Sequence, residues 1–233
     1  MNQVLQEISP KTQNQTGYAD LAVTNDATKE VYYPESDGKP MTETDKHRKL
    51  INQLIDVLDI HFADDKNIYV TGNIMFYYEE GNPYRSVAPD VMFVRGVTDK
   101  DRRVYKLWEE NTMPQVVFEI TSRSTRSEDL HRKWNLYEKL GVLEYYIFDP
   151  EHEYFEPFIA CKRQEGELMQ VEITEGRIFS EELGLEIVDT GETLRLFDPK
   201  TNVFLRTSQE SENALREAET EITRLRALLE NKA

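Results

Sequence analysis

Ahead of Phe62 the apolar positions Leu50, Ile51, Leu54, Ile55 and Leu58 recur at intervals of three and four, while Lys49, Asn52, Gln53 and Asp56 occupy the opposite side. That spacing predicts an amphipathic helix ending near Phe62, with Thr42 or Thr44 as its cap. Glu43 and His47 lie four apart and extend the apolar stripe, so both tilt toward whatever the helix packs on. Asn67 to Tyr78 alternates and is rich in β-branched and aromatic residues, which predicts a strand, with a turn at Gly81-Asn82-Pro83. Val87 to Val94 reads as the next strand, with Asp90 near its start, and Asp101 to Asn111 as a short helix. Gln115 to Ile120 is a continuous apolar run, as expected of a strand buried on both faces. Ser124 or Ser127 is expected to cap a helix running to Leu140, which Gly141 ends before a second apolar strand, Tyr145 to Phe148.

The flanks read differently. Residues 1–30 are polar without sustained periodicity and are expected to form a loose arm. Val31-Tyr32-Tyr33 is expected to be a short strand stopped by Pro34, and residues 153–205 short β-hairpins. After Leu205, Leu215, Ile222 and Leu229 stand seven apart with Ala218 and Leu225 between them. That short heptad pattern predicts a projecting helix that pairs with a copy of itself or packs on the domain. The expected organisation is an arm over 1–30, one domain over 31–205 and a coiled-coil-like helix over 206–233.

Composition sharpens the picture in one respect and complicates it in another. With 39% hydrophobic and 31% charged residues, the 233-residue chain is expected to be soluble and globular. A single cysteine, Cys161, excludes an internal disulfide framework. The N-terminal segment lacks a basic start and an apolar core, and no stretch approaches the ~18 apolar residues of a membrane span. A cytoplasmic location is expected. The net charge of −16, however, opposes any nucleic-acid partner in bulk. Basic residues do gather after two of the strands, Arg95, Lys100, Arg102, Arg103 and Lys106 after Asp90, and Arg123, Arg126, Arg132 and Lys133 after Glu119.

The candidate chemistry rests on Asp90 and Glu119, acids at the ends of two strands. Phosphodiester hydrolysis needs a divalent ion to polarise the phosphate and acidify a bound water, and magnesium is content with a few carboxylates plus waters. Lys133 shares a helix face with Asp129, Leu136, Tyr137 and Leu140, so it points at the sheet. It either meets a carboxylate or phosphate there, or pairs with Asp129 one turn earlier and snorkels outward.

The ordered pieces ESDGKPMTETDKH, APDVMFV and VVFEITSRSTRSEDLHRKWNLYEKLGVLEYYIFDP, with the heptad tail, resemble the Uma-two family of the PD-(D/E)xK restriction-endonuclease-like superfamily. The resemblance implies an α/β (α+β) core, a central mixed sheet flanked by helices, with added hairpins and a C-terminal helix. It also implies a magnesium-dependent site, manganese being a possible substitute. Pro89-Asp90 matches the first element and Glu119 the acid of the second. Thr121 stands where the superfamily pattern has a lysine, and Lys133 matches a lysine relocated to the following helix. Glu43 resembles the extra acid that some members use as a metal ligand.

The expected function is therefore a magnesium-dependent endonuclease acting on DNA as a homodimer. Asp90, Glu119, the Ile120 carbonyl and Glu43 would hold the metal, supported by His47. Lys133 would orient or deprotonate the attacking water. Arg123, Ser124 and Arg126, with Ser122, would meet phosphate oxygens, although helix capping and a solvated turn explain the same residues. The competing reading is a non-catalytic member that keeps the fold as a protein-interaction or regulatory module.

Overall fold

The structure, a computed structural model, describes residues 31–36, 38, 44–154 and 156–230. The N-terminal arm, Thr42 and Glu43 lie outside them. Helix α1 spans Asp45–His61 and is capped by Thr44, whose hydroxyl accepts the His47 amide at 3.2 Å. Its stripe of Leu50, Ile51, Leu54, Val57 and Leu58 is buried.

The alternating run after α1 divides into two strands, β1 (Ile68–Thr71) and β2 (Met75–Tyr77), in different sheets. The break is at Gly72, where an added Cβ would lie 1.9 Å from the Asp90 carbonyl oxygen. The next expected strand is interrupted in the same way, giving β3 (Ser86–Val87) and β4 (Val91–Arg95) on either side of Ala88-Pro89-Asp90. Proline has no amide hydrogen for a ladder, so the chain changes sheets there. The segment expected as a helix over 101–111 is instead strand β5 (Val104–Lys106) and a single turn, α2 (Leu107–Glu110). Val104 to Lys106 pairs in parallel with β2, and Tyr105 is buried against Phe76, so tertiary packing overrides local helix preference. Val31 to Tyr33 forms no strand; the Tyr33 ring packs on Tyr77 and Trp108 instead.

Strand β6 (Val116–Ile120) is followed by a π-helical segment, Glu128–Lys133, that runs into α3 (Trp134–Leu140). Neither Ser124 nor Ser127 caps it. Ser127 makes no capping bond, and the Thr125 hydroxyl instead accepts the Ser122 amide at 3.0 Å. Gly141 ends α3 at φ 95°, a left-handed conformation that glycine adopts without strain. Then come β7 (Glu144–Phe148), the hairpin β8 (Phe158–Gln164) and β9 (Glu167–Val171), and four strands β10 (Arg177–Ser180), β11 (Leu185–Asp189), β12 (Leu194–Asp198) and β13 (Val203–Phe204). Helix α4 (Ser208–Glu230) follows, with no buried residue.

The central sheet has the order β1-β4-β6-β7-β8-β9, parallel only between β6 and β7 and antiparallel elsewhere. It is mixed, as expected. The π segment and α3 form the crossover between its parallel pair. On one face Phe118, Val116 and Ile120 pack beneath α1 and against Leu185, Ile187 and Leu196 of the β10–β13 sheet. On the other, Val117, Tyr145 and Ile147 pack beneath Tyr137 and Val142 and toward the small β3-β2-β5 sheet. Because side chains alternate along a strand, Glu119 shares the Val117 face and points toward α3.

Candidate functional site

Asp90 sits at the end of the Pro89 break and is braced from behind. The Asn73 amide donates to the Pro89 carbonyl at 2.8 Å, and Gly72 lies against the Asp90 carbonyl. The β4–β6 ladder ends at the pair Val91 and Phe118, so the Ile120 amide reaches beyond it and donates to Asp90 Oδ2 at 2.7 Å. That bond fixes the carboxylate beside the end of β6. His47, buried on the first turn of α1, places Nε2 3.5 Å from the same oxygen.

Glu119 is fully buried, and two groups from the crossover hold it. The Lys133 ammonium donates to Oε2 at 2.6 Å and the Tyr137 hydroxyl to Oε1 at 2.7 Å. Lys133 also lies 3.1 Å from Asp129 Oδ1. Lys133 thus turns inward to Glu119 rather than snorkelling outward, and it pairs with Asp129 from that inward position. The wide π turn carries both Asp129 and Lys133, and such turns are frequent at functional positions. Tyr145 closes the arrangement from β7, its hydroxyl donating to the Asp129 carbonyl at 2.9 Å.

Burial pushes the Glu119 carboxyl well above the usual carboxylate range, against the pull of Lys133 and with the help of Asp90 and Asp129. Burial alone would lower the Lys133 ammonium. The acidic side chains of Glu119, Asp129 and Asp90 outweigh it and hold the group above an ordinary lysine.

Asp90, Ile120, Asp129, Lys133 and His47 line one cleft of about 1300 Å³, which also takes in Arg123 and Ser124. Of the residues expected at phosphate, Arg123 pairs with Glu153 at 2.7 Å and Ser124 shares a hydrogen-bond distance of 3.0 Å with the Ser122 hydroxyl. Arg126 turns away from the cleft, stacking over Tyr154 at 4.0 Å and donating to the Glu156 carbonyl. The sequence placed Asp129 and Tyr137 on the inward face of the helix without assigning them work at the site. A tyrosine on an inward face needs a partner for its hydroxyl, which was the available signal.

The donor chemistry fits a magnesium ion. Two carboxylates, the Ile120 carbonyl and waters make the oxygen-rich, incompletely proteinaceous set that magnesium accepts. Asp90 lines the cleft, whereas Glu119 is fully buried and held by Lys133 and Tyr137. Among the described residues no group of three or more His, Cys, Asp or Glu side chains is close enough to enclose a metal by itself.

A mixed sheet that presents two strand-end acids beside an inward lysine defines a restriction-endonuclease-like protein. The chain matches the family described as "Uma2: Putative restriction endonuclease" over residues 18–190, and it belongs to that family. Among solved structures it is similar to "a putative nuclease belonging to DUF820" from Anabaena variabilis, at 13% identity and a TM-score of 0.46 over 62% of this chain and 76% of that one. No curated protein matches it. Among the described residues no helix is long and apolar enough to cross a membrane.

Proposed function

We propose that this protein is a metal-dependent endonuclease that hydrolyses phosphodiester bonds of DNA with magnesium, or manganese in its place. The carrying observation is that Lys133, which lines the same cleft as Asp90, is in contact at 2.6 Å with the buried Glu119. Asp90, Glu119 and the Ile120 carbonyl would hold the ion, with His47 supporting Asp90. Glu43 lies two residues before the first residue of α1, and we assign it as an additional ligand. When bound, the metal supplies an electrophile for the phosphate and an acidified water.

The chain's own residues do the rest. Asp90 is oriented by the Ile120 amide and Glu119 by Tyr137, so both acids are held before substrate arrives. The Lys133 ammonium donates to the attacking water and to a phosphoryl oxygen as negative charge grows there. The water oxygen bonds to phosphorus and gives up a proton to solvent, the bond to the sugar oxygen breaks, and that oxygen takes up a proton from solvent. Arg123 and Ser124 supply further donors at the cleft wall. A homodimer formed through α4 and a cytoplasmic location complete the reading. The exposed Leu215, Ile222 and Leu229 on that helix support the dimer.

One observation favours the second reading, a non-catalytic interaction module: the net charge of −16 with the site's cations already engaged by carboxylates. The deciding experiment offers plasmid and single-stranded DNA with magnesium or manganese to the wild type, Asp90→Asn and Lys133→Gln. Thermal melts accompany each. Cleavage by the wild type that both folded variants lose supports the endonuclease. No cleavage by the wild type, together with no magnesium binding by calorimetry, overturns it.

A further inference from the structure

Glu119 is wholly buried, and Tyr137 holds its Oε1, so Oε2 is the oxygen it presents toward Lys133. Lys133 lines the cleft and ends on that oxygen at 2.6 Å. A divalent ion that draws on Glu119 therefore meets the ammonium there. Two cations that close on one oxygen in a site screened from water repel strongly. The ammonium has to give way, and its flexible four-carbon stem lets it do so without moving the helix.

A second acid stands within reach. Asp129 Oδ1 lies 3.1 Å from the same nitrogen, and this side chain is 1% exposed yet lines the cleft. Its backbone is pinned from two sides: its amide donates to the Thr125 carbonyl at 3.0 Å, and its carbonyl accepts the Tyr145 hydroxyl at 2.9 Å. Both residues belong to the π-helical segment, so the pair is carried on a single element. Stripping a buried acid of its cation is costly, which favours an ammonium that moves to Asp129 over one that swings out to solvent.

Resting on the endonuclease reading, we infer that Asp129 is a positioning residue for Lys133: when a divalent ion occupies Asp90 and Glu119, the ammonium leaves Glu119 Oε2 and stays on Asp129 at the cleft wall. Asp129 thereby keeps Lys133 where it donates to the attacking water while Glu119 is engaged elsewhere.

The test follows the Lys133 ammonium directly, by NMR of the side-chain nitrogen in protein carrying isotope-labelled lysine, with magnesium binding read in parallel by calorimetry. An ammonium held by buried acids exchanges its protons slowly enough to be seen, and Lys133→Arg, which removes the signal, assigns it. Saturating the wild type with magnesium is expected to shift this signal while keeping it visible. In Asp129→Asn the signal is expected before magnesium and lost to exchange with water after it. Magnesium is also expected to bind that variant about tenfold more weakly. Asp129→Glu is expected to restore the signal in the presence of magnesium. A wild-type signal that bound magnesium leaves unmoved, or one absent from the outset, overturns the inference, and this is read whether or not Asp129→Asn folds. A signal that persists in magnesium-loaded Asp129→Asn overturns it as well. These outcomes leave the nuclease reading standing, whereas a wild type that binds no magnesium overturns the inference together with the metal-dependent reading it rests on.

Discussion

The Tyr137 hydroxyl donates to Glu119 Oε1 at 2.7 Å, and both side chains are wholly buried. Phenylalanine at 137 would keep the ring and remove the donor, leaving one carboxylate oxygen without that partner in a dry site. An orphaned buried acceptor costs about 1–3 kcal/mol. Tyr137→Phe is expected to lose that much in urea unfolding. It is also expected to bind magnesium about tenfold more weakly by calorimetry, since outer partners of metal ligands typically matter to that extent. An unchanged metal affinity would reduce Tyr137 to a packing role.

Gly72 is the second sensitive point, and it lies outside the cleft lining. Its Cβ position is blocked by the Asp90 carbonyl oxygen at 1.9 Å and by Ile55 Cδ1 at 2.9 Å. Relief requires moving the backbone that presents Asp90. Gly72→Ala is expected to cost about 3 kcal/mol or more, toward the upper end of overpacking penalties. Urea unfolding checks this, and the fraction that remains folded should bind magnesium poorly.

Glu144 predicts a pH dependence that is separate from the site. It lies buried at the start of β7, accepting from the Tyr146 hydroxyl at 3.0 Å, the Glu181 amide at 2.9 Å and the Ser180 hydroxyl. Burial is the main cause that pushes its carboxyl up from 4.5 to about 7, against the lowering effect of the hydroxyl donors. The folded state therefore holds this proton more tightly than the unfolded one. Its contribution to stability is complete below about 4.5 and lost as the pH rises through about 7, amounting to about 3 kcal/mol by linkage. Glu144→Gln carries no titrating group there, and its amide can donate to the two hydroxyls. The variant is expected to be more stable than the wild type at pH 8 and to lose that advantage at pH 5, as read by thermal melts.

Helix α4 leaves Leu215 at 62% and Leu229 at 70% exposure, with Ile222 between them. If that stripe joins two copies, Ile222→Glu with Leu229→Glu should halve the mass measured by light scattering without altering the unfolding of the domain. A wild type already monomeric at high concentration would remove the dimer from the proposed function.

Much of the site was legible because its positions follow from short-range rules. The apolar run up to Glu119 marks a strand buried on both faces, and the spacing of Asp129, Lys133 and Tyr137 puts them on one helix face. The inward turn of Lys133 followed from that spacing. What failed was continuity. Single strands were expected where the chain breaks at Gly72 and at Pro89-Asp90, and a helix where Val104 to Lys106 joins β2. Local pattern reports which side chains want burial, whereas the sheet a segment joins depends on partners far along the chain. Arg126 shows the same limit on a smaller scale. Its place after Glu119 suggested a phosphate contact, yet the loop that follows β7 brings Tyr154 beneath it.

By itself the sequence determined the order of the principal buried strands, the amphipathic faces of α1 and α3, the family and the acids at strand ends, because periodicity and turn chemistry act over a few residues. Tertiary structure alone decided how those acids meet. It took the end of the β4–β6 ladder to free the Ile120 amide for Asp90, and a π turn across the parallel β6–β7 pair to bring Lys133 and Tyr137 onto the two oxygens of Glu119. These contacts join residues from 14 to 30 positions apart, and only the register of the assembled sheet fixes such distances.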